Sequence, residues 1–263
     1  MTVVFFHGVA GSNRTYDWLP ETVAGHEVVR PDFRGHGVAP RTPGSYLIED
    51  YAADAVEVLR SVGPAFVVGH SLGGVATWWA AQQVPELVLG AVLEDPPLFL
   101  GSPEQHAHNE GVPYFTHLRE IVPRWQSEEV SEAVAAERLA AEPYGPEPSL
   151  RAGDVAMADA TAARAYSLLH LDAPLLDPVI DGSLLAATDV TAPVTVPMTI
   201  LAAGLAPAFT VEHEARLAAS HPAIAVERFA GAGHSIHDER AHRAGYLALV
   251  ESKLAHSSQS SRH

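Results

Sequence analysis

Two short motifs, around residues 71 and 234, hold the side chains best placed to do chemistry. The first is Gly69-His70-Ser71-Leu72-Gly73, which follows the apolar run Val67-Val68 and precedes a helix-patterned stretch containing Trp78 and Trp79. Gly-x-Ser-x-Gly between a strand and a helix reads as a sharp turn with the serine at its apex in a strained backbone. The flanking glycines let strand and helix approach closely. The hydroxyl then stands at a helix N-terminus, where developing negative charge is favoured. A serine hydroxyl is a weak nucleophile unless a base takes its proton. The second motif, Gly231-Ala232-Gly233-His234-Ser235, supplies that base between small residues. Fifteen histidines make any single one a weak signal, so position decides. His237, three residues on, is the nearest competitor.

These groups need a scaffold. Short apolar runs alternate with longer helix-patterned stretches, the signature of a parallel sheet flanked by helices. The expected strands are residues 3–7, 27–30, 65–69, 88–94, 198–203 and 225–229. Their continuous apolarity suits strands covered on both faces. The expected helices are residues 16–23, 46–61, 71–83, 211–220 and 240–255. Ser71 then ends one strand, and His234 follows the last. From about residue 96 to 190 there is no good strand, and the stretch is too long for a loop in a compact domain. Helical patches at 127–141 and 152–171 mark it as an inserted helical cap. The expected organisation is a core of residues 1–95 and 191–256, a cap of 96–190 and a flexible tail of 257–263.

The order of these motifs resembles the α/β-hydrolase superfamily over nearly the whole chain. His7-Gly8-Val9-Ala10-Gly11 is similar to that family's oxyanion loop, and Asp32-Phe33-Arg34-Gly35-His36-Gly37 to its Asp-x-Arg-Gly-x-Gly turn. The resemblance implies an oxyanion hole made by the N–H groups of Val9 and Leu72. Such preorganised donors are worth about 3–4 kcal/mol each to a transition state. It also implies an acid that orients His234 and stabilises its imidazolium. Most members carry that acid after the strand that follows the cap, but here the stretch reads Leu201-Ala202-Ala203-Gly204-Leu205-Ala206-Pro207-Ala208 and holds no carboxylate. One subgroup of haloalkane dehalogenases and the zearalenone lactonases place it after the strand following the nucleophile helix. That position here is Asp95, with Glu94 as the alternative.

Relatives usually carry a strand pair before the oxyanion strand. Without it the sheet would have six strands and an open edge, which suggests a possible homo-oligomer. Cysteine is absent, so thiolate nucleophiles and cysteine metal sites are excluded. His106, His108, Glu110 and His117 lack a second cluster to complete a ligand set, and no phosphate-loop or dinucleotide signature follows a strand. Neither metal nor cofactor is expected. The net charge of −16 argues against nucleic acid and anionic membranes as partners. No targeting segment is evident, so a cytoplasmic location is the default. The expected function is a serine hydrolase acting through an acyl-enzyme on a small to medium, mostly apolar carboxylic ester or lactone. A serine at 71 argues against the family's epoxide hydrolases and dehalogenases, which use aspartate there. Perhydrolysis, C–C bond hydrolysis and lyase chemistry use the same triad, and a non-catalytic binder of this fold is the alternative of a different class.

Overall fold

The computed structural model describes residues 1–144 and 149–260. Its strands are β1 (Thr2–Phe6), β2 (Thr22–Val23), β3 (His26–Val29), β4 (Ala65–His70), β5 (Val88–Glu94), β6 (Met198–Ala203) and β7 (Ala225–Phe229). Its helices are α1 (Ile48–Val62), α2 (Leu72–Gln83), α3 (Pro103–His106), α4 (Val112–Ser127), α5 (Glu132–Ala140), α6 (Ala152–Val155), α7 (Ala158–Leu169), α8 (Asp177–Asp181), α9 (Val211–Ser220) and α10 (Arg243–Ser260). The strands form one sheet in the order β2-β3-β1-β4-β5-β6-β7. Every neighbouring pair is parallel except β2 with β3. The strand order folds back at β1, so the ends of β1, β4 and β5 lie side by side, where such sheets hold their sites.

Alternation along each strand divides the core in two. Val4, Phe6, Val67, Leu93 and Ile200 face one side, where Leu59 of α1, Trp78 of α2 and Leu217 of α9 pack. Val3, Phe5, Phe66, Val68, Val92 and Leu201 face the other, covered by Tyr246, Val250 and Leu254 of α10. Cover on both faces explains why these strands read as unbroken apolar runs.

Four expectations need correction. The helix expected over residues 16–23 is instead a 3-10 turn at Asn13–Tyr16 followed by β2. Tyr16, Leu19 and Val23 are buried at helical spacing, which mimics a helix. However, Pro20 breaks the run, and Ala24 and Gly25, at φ 48° and 79°, close a two-residue hairpin to β3. The sheet therefore has seven strands rather than six, and the two-residue β2 blunts the edge beside β3. The patch expected at 127–141 starts late, because Glu129 at φ 52° interrupts it and Ser131 then caps α5 by accepting from the Val134 N–H. The patch at 152–171 splits into α6 and α7. Separately, α10 runs through Ser260, and residues 261–263 of the expected tail lie outside the described residues.

The long interval between β5 and β6 is helical, as expected, and α4, apart from its last residue, lies outside the two patches named from the sequence. Pro113 in its first turn and Pro123 within it obscured the pattern. Among the described residues no helix is long and apolar enough to cross a membrane.

Candidate active site

Ser71 occupies the turn between β4 and α2 with φ 51° and ψ −115°, a conformation that non-glycine residues rarely adopt. The flanking glycines explain how the turn closes. A Cβ on Gly69 would lie 2.4 Å from the Gly73 carbonyl oxygen, and one on Gly73 would lie 2.4 Å from the Phe6 oxygen. The Ser71 N–H donates to the Glu94 carbonyl at 2.9 Å, tying the bend to β5. Only 7% of Ser71 is exposed, so the bend sits within the molecule rather than on its outer surface.

Gly8 brings the loop after β1 against this bend: a Cβ there would meet His70 Nδ1 at 2.7 Å and Ser71 Cβ at 3.0 Å. The Gly11 N–H closes the loop on the Gly8 carbonyl at 3.0 Å, with Val9 between them. Two buried histidines hold it. His7 Nδ1–H donates to the Gly8 carbonyl at 2.9 Å and its Nε2 accepts from the Phe33 N–H at 3.1 Å. His36 Nε2 accepts from the Ala10 N–H at 3.1 Å, and its Nδ1–H donates to the Arg34 carbonyl at 2.9 Å. Burial lowers the pKa of both, His36 strongly, which keeps them neutral and able to accept. Asp32 braces the same region, accepting from the N–H groups of Asn13 and Val38 at 2.5 and 3.0 Å. Leu72 is the first residue of α2, so its N–H has no acceptor within the helix.

Asp95 follows β5 at φ 42° and is fully buried. Its Oδ2 lies 2.7 Å from His234 Nδ1. The same carboxylate accepts from the N–H groups of Ala203, Ala208 and Phe209 at 3.2, 2.8 and 3.1 Å. The stretch after β6 that lacks an acid thus supplies backbone donors to the acid that follows β5. The carboxylate requires the proton of His234 on Nδ1, leaving Nε2 as an acceptor. His70, neutral because burial and the neighbouring His234 and His237 lower its pKa, donates from Nε2 to the His234 carbonyl at 3.1 Å. The rings of His70 and His234 stand 4.8 Å apart. The turn after β7 is thereby joined to the turn that carries Ser71.

Glu94, the alternative acid, has a different partner. Its Oε2 meets His237 Nδ1 at 2.7 Å and its Oε1 accepts the His237 N–H at 3.0 Å. Two adjacent carboxylates therefore each take one of two histidines three residues apart. Burial alone would lower the His237 pKa, but the charges of Glu94 and Asp238 outweigh it and hold His237 at about 8. Glu239, buried, completes the loop: its Oε1 accepts from the Gly233 N–H at 2.6 Å and from the Tyr144 hydroxyl. The Met157 N–H bonds the Asp238 carbonyl, and the Arg240 N–H bonds Val155. The break between α6 and α7 thus docks the helical insertion on the histidine loop.

Ser71, Asp95 and His234, with Val9 and Leu72, all lie at the carboxyl ends of neighbouring parallel strands or in the loops just beyond. Sequence reasoning did not find the bracing roles of His7, His36, His70 and Glu239. Their buried polar partners come from turns far apart in the chain, and only the folded topology brings them together. Arg164 of α7 was also missed; it lines a cleft beside His70.

Comparison with known proteins places this geometry in context. A profile described as "Alpha/beta hydrolase family" matches residues 3–244. Among characterised proteins, the chain is 32% identical over 96 residues to 2-(acetamidomethylene)succinate hydrolase of Mesorhizobium japonicum, covering 35% of this chain and 34% of that one. It is 33% identical over 132 residues to a non-heme haloperoxidase of Rhodococcus erythropolis, covering 46% of each. These matched stretches span about a third to a half of the relatives' length. Among solved structures, the enol-lactonase of Burkholderia xenovorans superposes with a TM-score of 0.68 at 18% identity, over 96% of this chain and 90% of that one. A likeness at that identity concerns the fold alone.

Proposed function

The chain belongs to the alpha/beta hydrolase family, and on that premise we propose that it is a serine hydrolase cleaving a carboxylic ester or lactone through an acyl-enzyme. The observation that carries the reading is the 2.7 Å contact of His234 Nδ1 with a buried Asp95 that is itself held by three backbone N–H groups. That arrangement fixes the tautomer a general base needs. The strained Ser71 on the adjoining bend supports its role as nucleophile.

In this mechanism Ser71 Oγ attacks the carbonyl carbon while His234 Nε2 takes its proton. The tetrahedral oxyanion is received by the N–H groups of Val9 and Leu72. Collapse expels the alcohol, which takes the proton back from His234. Water, deprotonated by the same imidazole, then attacks the acyl-enzyme and releases the acid. Asp95 stays ionised and stabilises the imidazolium in both halves. Residues 96–190 act as a cap on a core of 1–95 and 191–256, supported by the bonds of Tyr144, Val155 and Met157 to the histidine loop.

A small cleft of about 20 Å³, open to solvent and lined by Gly8 and His70, lies beside this centre. Its wall holds Thr15, Arg164, His237 and Asp238, a more polar surface than the mostly apolar substrate expected from sequence would need. The similarity to a non-heme haloperoxidase favours one second reading, perhydrolysis, in which hydrogen peroxide replaces water at the acyl-enzyme. Turnover of p-nitrophenyl acetate by wild type and Ser71→Ala tests the proposal. Wild type is expected to release p-nitrophenolate in a Ser71-dependent reaction, and equal rates from both proteins would refute it. Adding peroxide with an acetate donor and assaying peracid separates the two readings.

A further inference from the structure

We propose that the cleft beside the Ser71 bend is a carboxylate subsite, with Arg164 as its cation and His237 as its second donor, so that the substrate is an ester or lactone that also carries a carboxylate. This rests on the serine hydrolase reading and adds a substrate class to it.

Three observations converge. First, Arg164 lines the cleft together with Gly8, Thr15 and His237, and it makes no ion pair among the described residues. Its guanidinium is held instead by the Tyr114 hydroxyl, at 2.8 Å. In a chain with twice as many acidic as basic residues, several arginines that make a comparable reach find a carboxylate, as Arg34, Arg119 and Arg243 do. Second, His237, whose side chain is 1% exposed, lines the same cleft, and its Nε2 makes no hydrogen bond among the described residues, with the Asp238 carboxylate 3.4 Å away. With Nδ1 committed to Glu94, a protonated His237 has an Nε2–H that Asp238 meets as a nearby charge and not as a formed hydrogen bond, so a ligand carboxylate would complete it. Third, Gly8 and His70, which line the cleft, also pack against the bend that carries Ser71: a Cβ on Gly8 would lie 2.7 Å from His70 Nδ1 and 3.0 Å from Ser71 Cβ. The cleft therefore adjoins the bend that carries Ser71. A guanidinium fork matches a planar carboxylate with two parallel hydrogen bonds.

Asp238 is the opposing charge. It lines the cleft, and its Oδ1 lies 3.4 Å from His237 Nε2. Together with Glu94 behind His237 it offsets the two cations, which keeps the empty cleft near neutral and sets selectivity by geometry rather than by net field. Removing Asp238 then sharpens the preference for anions.

The test compares half-esters with their neutral methyl esters. Monoethyl succinate carries the carboxylate on the acyl side and acetoxyacetate on the alcohol side; hydrolysis is followed by proton release. For wild type, kcat/KM is expected to favour the acid of at least one pair by tenfold or more. In Arg164→Gln that ratio falls to about one, chiefly through KM, while Arg164→Lys and Tyr114→Phe retain part of it and Asp238→Asn raises it. Calorimetric binding of succinate and inorganic phosphate to Ser71→Ala gives the same comparison without turnover and separates a carboxylate from a general anion site. A wild type that prefers both neutral esters, or an Arg164→Gln protein with an unchanged ratio, overturns the subsite while leaving Ser71-dependent hydrolysis intact. Loss of all Ser71-dependent turnover, with succinate still bound through Arg164, instead overturns the hydrolase reading alone.

Discussion

Asp95 accepts four hydrogen bonds with no exposure to water. Replacing it by Asn keeps the shape but puts a donor where an acceptor is required, and it deprives His234 of its counter-charge. Asp95→Asn is expected to lower kcat/KM for an ester by about 10³–10⁴-fold. It should also cost about 1–3 kcal/mol in a urea unfolding curve, because buried N–H groups lose their partner. Parallel activity and unfolding measurements check both. The neighbouring pair is read by pH. His237 is raised in the folded state to about 8, against an ordinary value near 6.5. Its contribution is therefore full below about pH 6.5 and is lost as pH rises through about 8. On the order of 2 kcal/mol is at stake. The stability difference between wild type and Glu94→Gln should shrink between pH 6 and 9; a constant difference would mean that His237 does not titrate with Glu94.

At the scale of elements, the site is a set of strand ends joined by turns. The bend at Ser71 depends on Gly69, whose missing side chain leaves room for the Gly73 carbonyl. Gly69→Ala is expected to lower thermal stability by several degrees and to reduce kcat more than KM, since Ser71 moves with the bend. A circular-dichroism melt and steady-state kinetics measure this. The histidine loop depends on Glu239, which joins Gly233 to Tyr144 of the insertion. Tyr144→Phe should raise the hydrogen-exchange rate of residues 231–239 while leaving the sheet protected. Strands were the most legible elements, because burial on both faces writes an unbroken apolar run into β4 and β6. Helices of the insertion were less so. Prolines at 113 and 123 hide α4, and the break between α6 and α7 coincides with backbone bonds to residues 81 and 85 positions away, which no local pattern encodes.

Across the whole molecule, a net charge of −16 on 263 residues creates self-repulsion that salt screens. The unfolding midpoint should rise as sodium chloride is raised from about 10 to 200 mM at pH 7; a fall would mean that attractive ion pairs such as Arg34–Asp54 outweigh the net charge. The architecture was legible because four motifs occur in a fixed order between patterned elements. The missing carboxylate after β6 pointed to Asp95, whose carboxylate lies against His234. What was not legible is that Glu94 serves His237, and that Arg164, 93 positions from Ser71, reaches the same cleft; both are facts of strand order and helix docking. The central claim is that Ser71 is a nucleophile activated by His234. Reaction with a fluorophosphonate, followed by peptide mass spectrometry, tests it most directly. A single adduct on Ser71, absent in Ser71→Ala and greatly slowed in His234→Ala, is the predicted result. Modification of another residue, or ester turnover undiminished in Ser71→Ala, would contradict it.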